Sequence, residues 1–249
     1  MTISRRVRPR RDPREWAANV SVTFLVPVRN EERTIEEVLE RVEALPFAKQ
    51  IVVIDDGSSD GTPAILRRWA DRDPSFVCLS QPPLGKGAAI RAGIPLIEGD
   101  VAIIQDADME YDPEDVPALI EPIARGAADV VYGSRLSGGR TQRAYLFWHL
   151  VANRALALLT NILYNTTLSD IETGYKAFRA DVLRSLDLRE NGFGIEAELT
   201  AKLLRRGLRV YETPISYYGR TAAEGKKIVW QDGVQAVWIL LVERVRPRT

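Results

Sequence analysis

From residue 20 onward the chain alternates between short apolar runs and segments whose apolar residues recur at helical spacing. Residues 20–28 predict a strand, and residues 31–45 follow with Ile35, Val38, Leu39 and Val42 on one helical face. Residues 50–55 form a short continuous apolar run, the pattern of a strand buried on both faces. A helix is expected after Asp60, with Thr62 as N-cap and Pro63 at the first helical position. Further strands are expected at 75–79, 100–105 and 130–132, and helices at 85–97 and 113–125, the latter capped by Asp112. Strand and helix alternate five times between residues 20 and 132, which predicts an α/β fold with a mostly parallel central sheet and helices on both faces. The second half reads differently: a long Leu-, Ala-, Phe- and Trp-rich helical pattern at 143–165, a helix at 194–206, a strand at 208–215 and a last amphipathic helix at 233–245.

Composition narrows the class. With 249 residues, 45% hydrophobic and 27% charged, the chain reads as globular. Residues 20–249 are expected to form a single domain, preceded by a flexible Arg/Pro-rich arm at 1–19. The 34 basic residues equal the 34 acidic ones, so no global charge argues for nucleic acid. Six Arg face only Asp12 and Glu15 in the first fifteen residues, which makes the arm basic. One cysteine, Cys78, precludes an intramolecular disulfide and fits a reducing compartment; lying in an apolar strand, it reads as packing. No apolar h-region follows the Arg-rich start, and the apolar stretch at 236–242 is far below the ~20 residues that span a bilayer. The expectation is a cytoplasmic protein that is soluble or at most peripheral on a membrane face.

Acidic residues gather where strands end. Asp55-Asp56-Gly57-Ser58-Ser59-Asp60 closes the second strand and Asp106-Ala107-Asp108-Met109-Glu110 the fourth. In open parallel sheets ligands bind at such carboxyl ends. Two carboxylates spaced Asp-x-Asp after a buried strand can face one cleft, and hard cations such as Mg²⁺ or Mn²⁺ take oxygen ligands together with substrate phosphates. Lys86, flanked by Gly85 and Gly87, either meets a phosphate or is a solvated lysine. No G-x-G-x-x-G follows the first strand, which argues against a dinucleotide oxidoreductase.

Val26-Pro-Val-Arg-Asn-Glu-Glu32, Asp55-Asp-Gly-Ser-Ser-Asp-Gly-Thr62 and Gln105-Asp-Ala-Asp108 together resemble the family 2 glycosyltransferases of GT-A (nucleotide-diphospho-sugar transferase) fold. The likeness is greatest to the dolichyl- or polyprenyl-phosphate mannose synthase type. Gly85–Gly93, Tyr132-Gly-Ser-Arg135, Asp170-Ile-Glu-Thr-Gly-Tyr-Lys-Ala-Phe-Arg179 and the segment 219–228 add to it, in order, over roughly residues 20–230. The resemblance implies that Pro27, Asn30 and Glu31 border the base and ribose, that Asp56 contacts the nucleoside, and that Lys86 and Asp106 belong to the nucleotide site. It implies that Asp106 and Asp108 hold metal and diphosphate. Glu110 stands where relatives often carry Gln and becomes a third metal ligand. Arg29 replaces a common aromatic residue, which leaves the base open. Arg135 and Arg220, with Asp108, are the expected catalytic groups, and Lys176 and Lys226 the expected acceptor-phosphate ligands.

The implied reaction moves a hexose, with inversion, from a nucleotide-diphosphate sugar of GDP-mannose or UDP-glucose type. A polyprenyl phosphate acceptor is already a dianion near neutral pH, because its second pKa lies near ~6. A hydroxyl acceptor normally needs a general base, and the downstream Gln-x-x-Arg-Trp of hydroxyl-using relatives is missing. A hydroxyl acceptor on a glycan or lipid is the alternative, and it gains if Glu196 or Glu198 faces the anomeric carbon. A nucleotidyltransferase or a non-catalytic scaffold fits less of the pattern. The helix at 143–165 either lies on a membrane interface or packs as core or against a second copy, and a membrane-protein partner or homo-oligomer stays open. His149 reads as a polar residue of that helix, and Trp230 and Trp238 as core or interface anchors.

Overall fold

The computed structural model describes residues 20–73, 75–140, 143, 147–220 and 230–246. The expected arm at 1–19 and Lys226 lie outside them. Strand β1 (Ser21–Val28) leads through helix α1 (Ile35–Glu43) to β2 (Ala48–Asp55), then through α2 (Thr62–Arg72) to β3 (Phe76–Ser80). Helix α3 (Lys86–Gly93) and a 3₁₀ turn at Ile94–Leu96 precede β4 (Val101–Ile104). A second 3₁₀ turn, Pro113–Asp115, opens α4 (Val116–Ala124), which leads to β5 (Val130–Ser134). Helix α5 (Phe147–Tyr164), strand β6 (Lys176–Arg179), helices α6 (Ala180–Arg184) and α7 (Ile195–Arg205), β7 (Val210–Pro214) and α8 (Trp230–Val245) complete the order.

The seven strands form one sheet in the order β3-β2-β1-β4-β6-β5-β7. Strand β1 is parallel to both β2 and β4, and only β6 runs antiparallel to its neighbours. The chain therefore winds outward from β1 to β3 and returns on the other side at β4. That reversal opens a crevice beyond the carboxyl ends of β1 and β4. Burial explains the order. Phe24, Leu25, Val26, Val52, Val53, Ile103 and Ile104 have no exposed surface, because apolar layers cover both faces of the central strands. One layer holds Val38, Leu39, Leu66, Trp69 and Leu119 from α1, α2 and α4; the other holds Ile90, Leu156, Leu199 and Leu240 from α3, α5, α7 and α8.

Several expected boundaries shift for physical reasons. Helix α3 stops at Gly93 and tightens into a 3₁₀ turn where Pro95 lacks an N–H. Thr62 is the first residue of α2 rather than its cap, and its hydroxyl accepts the Glu31 N–H at 3.0 Å. Asp112 caps as expected, accepting the Glu114 N–H. Strand β6 and helix α6 have no counterpart in the sequence reading, because a four-residue strand that begins with Lys and ends with Arg carries no apolar period. Cys78 is exposed rather than packed, since β3 is the sheet's edge strand.

Strands β5 and β7 deliver the two arginines of the site, and Asp129 clamps their starts together. Its carboxylate accepts from the Arg209 backbone at 2.9 Å, the Arg209 guanidinium at 2.6 and 3.0 Å and Arg179 at 3.1 Å. These bonds, Arg209 first, hold the Asp129 carboxyl down at about 2. We expect Asp129→Ala to lower unfolding stability by about 1–3 kcal/mol in denaturant titrations. The lowered folded-state pKa means the contribution is full above about pH 4 and disappears as pH falls through 2, so the variant and the parent converge in acid.

Candidate active site

Backbone turns at the carboxyl ends of the strands shape the site first. Asn30, at a positive φ of 54°, donates its N–H to Ser58 Oγ at 2.9 Å and accepts the Ser59 N–H at 2.8 Å. With the Glu31–Thr62 bond, this joins the loops that follow β1 and β2. Asp56 accepts from Gln81 Nε2, Leu84 N and Gly85 N, all at 2.8 Å, and so fixes the turn that starts α3. Gly85 sits at a φ of 108°, where a Cβ would also run into Asn191 O.

Two cation–carboxylate groups occupy the crevice. Lys86 Nζ lies 2.7 Å from Asp106 and 3.2 Å from Glu196. Burial opposes its charge, yet the Asp106 and Glu196 carboxylates hold the ammonium well above its ordinary pKa. Glu196 also pairs with Lys176, whose Nζ donates to Ile171 O and Thr173 O and lies 4.6 Å from the Tyr132 ring centre. The second group centres on Arg220. Its guanidinium meets Asp108 at 2.6 Å and Glu31 at 3.1 and 3.3 Å, and its backbone N–H donates to Glu110 at 2.7 Å. Tyr217 donates its hydroxyl to the other Glu110 oxygen at 3.0 Å. Burial, reinforced by the Asp106 and Glu110 carboxylates and opposed by Arg220, pushes the Asp108 carboxyl up to about 7.

Arg135 forms a third pair, with an Asp170 that has no exposed surface. Its Nε and Nη2 meet the two oxygens of Asp170 at 2.7 and 2.8 Å, and its backbone N–H donates to the same carboxylate. Asn153 of α5 donates to Asp170 as well, at 2.9 Å. The guanidinium carbon lies 5.0 Å from the Tyr217 ring centre, Nη1 lies 3.5 Å from the Tyr111 hydroxyl, and Arg135 lines the crevice. Despite burial, Arg135 holds the Asp170 carboxyl below its ordinary range.

One cavity of about 1770 Å³ joins these groups. Pro27, Asn30, Glu31, Asp56, Lys86, Asp106, Asp108, Glu110, Arg135 and Arg220 all line it, so ten residues singled out along the sequence meet in space. Its far wall is apolar, formed by Phe147, Trp148 and Leu156 of α5 and Trp230, Val234 and Val237 of α8. Trp148 and Trp230 are each 76% exposed, so this wall continues onto an uncovered apolar surface. Among the described residues no helix is long and apolar enough to cross a membrane.

Three expectations change. Lys176 does not reach the cavity: it has no exposed surface, and its ammonium is consumed by Glu196 and two carbonyls, so it is no acceptor-phosphate ligand. Glu198 is turned away, accepting from Arg189 N, Glu190 N and Lys202. Asp106, Asp108 and Glu110 do not converge as a ready ligand set, and among the described residues no cluster of three or more potential ligands does. Lys86 and Arg220 hold them instead. The donor chemistry still fits a hard cation, because Arg220 is itself a cation seated on Asp108 and Glu110. The sequence reading passed over Tyr111, Glu172 and Tyr217, which also line the cavity. Glu172 falls within the 170–179 segment, where nothing in spacing separates it from its neighbours.

A switch-point crevice lined by paired carboxylates and arginines, on a mostly parallel seven-stranded sheet, is the arrangement of a GT-A-fold transferase. Residues 23–187 match Glycosyl transferase family 2. The chain is 34% identical over 218 residues to an undecaprenyl-phosphate mannosyltransferase of Micrococcus luteus, covering 82% of this chain and 86% of that protein. It is 30% identical over 223 residues to a polyprenol monophosphomannose synthase of Mycolicibacterium smegmatis, covering 86% and 84%. Its fold superposes with a TM-score of 0.72 on glucosyl-3-phosphoglycerate synthase of Mycobacterium tuberculosis, crystallised with Mn²⁺, UDP and phosphoglyceric acid, at 21% identity and covering 97% and 86%. The chain belongs to glycosyltransferase family 2 and is a hexosyltransferase.

The structural role of Lys176 is testable. Lys176→Met leaves Glu196 buried with only Lys86 beside it and is expected to cost about 3–5 kcal/mol in denaturant unfolding. The double variant Lys176→Met/Glu196→Gln should recover much of that loss. A Lys176→Met protein of parental stability would contradict this assignment.

Proposed function

We propose that the chain transfers a hexose, with inversion, from a nucleotide-diphosphate sugar to a polyprenyl phosphate. The observation that carries this reading is that one cavity joins the carboxylate–cation cluster to an apolar aromatic wall. A charged donor suits the first and an isoprenoid chain the second, and the two relatives described above are named for polyprenyl-phosphate chemistry. Pro27, Asn30, Glu31 and Asp56 would border the nucleoside. Asp106, Asp108 and Glu110 would hold Mg²⁺ or Mn²⁺, which when bound supplies positive charge against the leaving diphosphate.

The chain's own groups do the rest. Cleavage of the sugar–phosphate bond builds positive charge at the anomeric carbon and negative charge on the leaving diphosphate. Lys86 and Arg220 supply fixed positive charge on that side, and preorganised charge of this kind is the largest usual catalytic contribution. Arg135, oriented by its bidentate pair with Asp170, would offer its guanidinium to the acceptor phosphate. A phosphate dianion needs no base to attack. The hydroxyl-acceptor alternative does need one, and the two candidates for it are committed elsewhere: Glu196 to Lys176 and Lys86, Glu198 to backbone N–H groups and Lys202. The exposed face of α5 and α8 would rest on the cytoplasmic side of a membrane, where the lipid acceptor lies.

The purified protein is to be offered GDP-mannose, UDP-glucose and UDP-GlcNAc with Mg²⁺ or Mn²⁺, with and without a short polyprenyl phosphate. Radiolabel extractable into organic solvent only when lipid phosphate is present is the expected result. Label appearing only on a hydroxyl acceptor would refute the reading. Because Arg220 competes for Asp108 and Glu110, Arg220→Gln is expected to bind Mn²⁺ more tightly without nucleotide, by calorimetry, while transfer falls. Unchanged or weaker Mn²⁺ binding would show that those carboxylates are not the metal's ligands.

A further inference from the structure

Glu172 and Gly174 of the segment from Asp170 to Lys176 line the cavity, and nearly every polar group of that segment is pinned. Asp170 is held by Arg135 and Asn153, Ile171 O and Thr173 O by Lys176, and Gly174 N by the Tyr111 hydroxyl at 2.9 Å. Glu172 is the exception. Its side chain lines the cavity, and its Oε1 is buried with no hydrogen-bond partner. Of the other acidic side chains lining the cavity, Glu31, Asp56, Asp106, Asp108 and Glu110 each meet a named cation or donor, and Glu196, whose Oε1 also lacks a hydrogen bond, has Lys86 Nζ 3.2 Å from that oxygen and Lys176 on the other. A buried acceptor left unmatched is costly, and a ligand hydroxyl that reaches it removes the cost.

Its position says which ligand. Two residues on, Gly174 packs so closely on Asp106 Oδ2 and Lys86 Nζ that a Cβ there would overlap both. On the other side, Arg135 is fixed by Asp170. Along the chain Glu172 thus stands between Asp170, which fixes the group assigned to the acceptor phosphate, and Gly174, which packs on the groups assigned to the donor diphosphate, and it lines the same cavity as both groups. The transferred sugar must lie between those two.

We infer that Glu172 binds hydroxyl groups of the transferred hexose and so sets which sugar the site accepts. The inference rests on the hexosyl-transfer reading above and adds a residue to it. The carboxylate can accept two hydroxyl donors from the hexose, whereas the hydroxyls of a bare nucleoside diphosphate lie on the ribose, which is assigned to Asn30, Glu31 and Asp56. The surrounding charges agree with a ligand-matched group. Burial and the Glu196 and Asp170 carboxylates push the Glu172 carboxyl up to about 7, against the pull of Lys176 and Arg135. A hydroxyl donor from the hexose would satisfy its unpartnered oxygen.

The test separates the sugar's share of binding from the nucleotide's. Dissociation constants are to be measured with Mg²⁺ for GDP against GDP-mannose and UDP against UDP-glucose, on the parent, Glu172→Ala and Glu172→Gln. The parent is expected to bind one sugar nucleotide. Glu172→Ala should weaken that sugar nucleotide by about ten- to hundredfold and leave its nucleoside diphosphate unchanged, with Glu172→Gln between. Unchanged nucleoside diphosphate binding shows that the variant is folded. Equal weakening of both ligands would make Glu172 a scaffold residue and overturn the inference. Unchanged affinities with a fall in kcat alone would make it a proton-transfer group and overturn it equally. A parent that binds neither sugar nucleotide would overturn the transfer reading itself, and this inference with it.

Discussion

Carboxylates crowded at the carboxyl ends of β1 and β4 need cations, and that requirement organises the site. Glu31, Asp106, Asp108, Glu110, Asp170 and Glu196 come from segments far apart in the chain, yet all face one crevice or lie at its edge. Buried negative charge is tolerable only when paired and hydrogen-bonded. The fold meets this demand with Lys86, Arg135, Lys176 and Arg220, each drawn from a different element. Lys176 satisfies Glu196 from below, Lys86 ties Glu196 to Asp106, and Arg220 gathers Glu31, Asp108 and Glu110. Strand β6 runs against its neighbours, and in doing so it brings Lys176 and Gly174 beneath the Asp-x-Asp loop.

Pairing of this kind stores charge in exchangeable form. Arg220 and Lys86 occupy carboxylates whose oxygen chemistry also suits a divalent ion, so under the proposed function a metal would exchange one cation for another at Asp108 and Glu110 and leave no buried charge exposed. The side chains released in this way would then be available to a diphosphate. The apolar wall from α5 and α8 supplies the complementary half of the cavity. Under the proposed function its exposed tryptophans would give a lipid-linked acceptor a surface to approach along, and among the described residues no helix is long and apolar enough to cross a membrane. Charge and apolar surface meet in the cavity that Glu172 lines.

Much of this was legible along the chain, and the illegible parts share a cause. The strands β1, β2 and β4 announce themselves as continuous apolar runs because both faces are covered, and the acidic ends follow directly from them. Ten of the residues singled out by type and spacing line the cavity. Lys176 misled because its partner, Glu196, lies twenty residues on in another element; a lysine in a phosphate-rich setting looks available until its counter-ion is placed. Arg220 pairs with Glu31 across 189 residues, a contact that only the assembled sheet creates. Cys78 sits in an apolar run that turns out to be an edge, where sheet order rather than local pattern sets exposure. Strand β6 is too short and too charged at its ends to show a period, so its antiparallel role appears only with the topology.

The claim that the Arg220 cluster is a cation site shared with metal is tested most directly by crystals grown with Mn²⁺ and a nucleoside diphosphate. Anomalous scattering is predicted to place Mn²⁺ against Asp106, Asp108 and Glu110, with the Arg220 guanidinium moved off Asp108 toward the diphosphate. Manganese bound elsewhere while Arg220 stays on Asp108 would contradict the account.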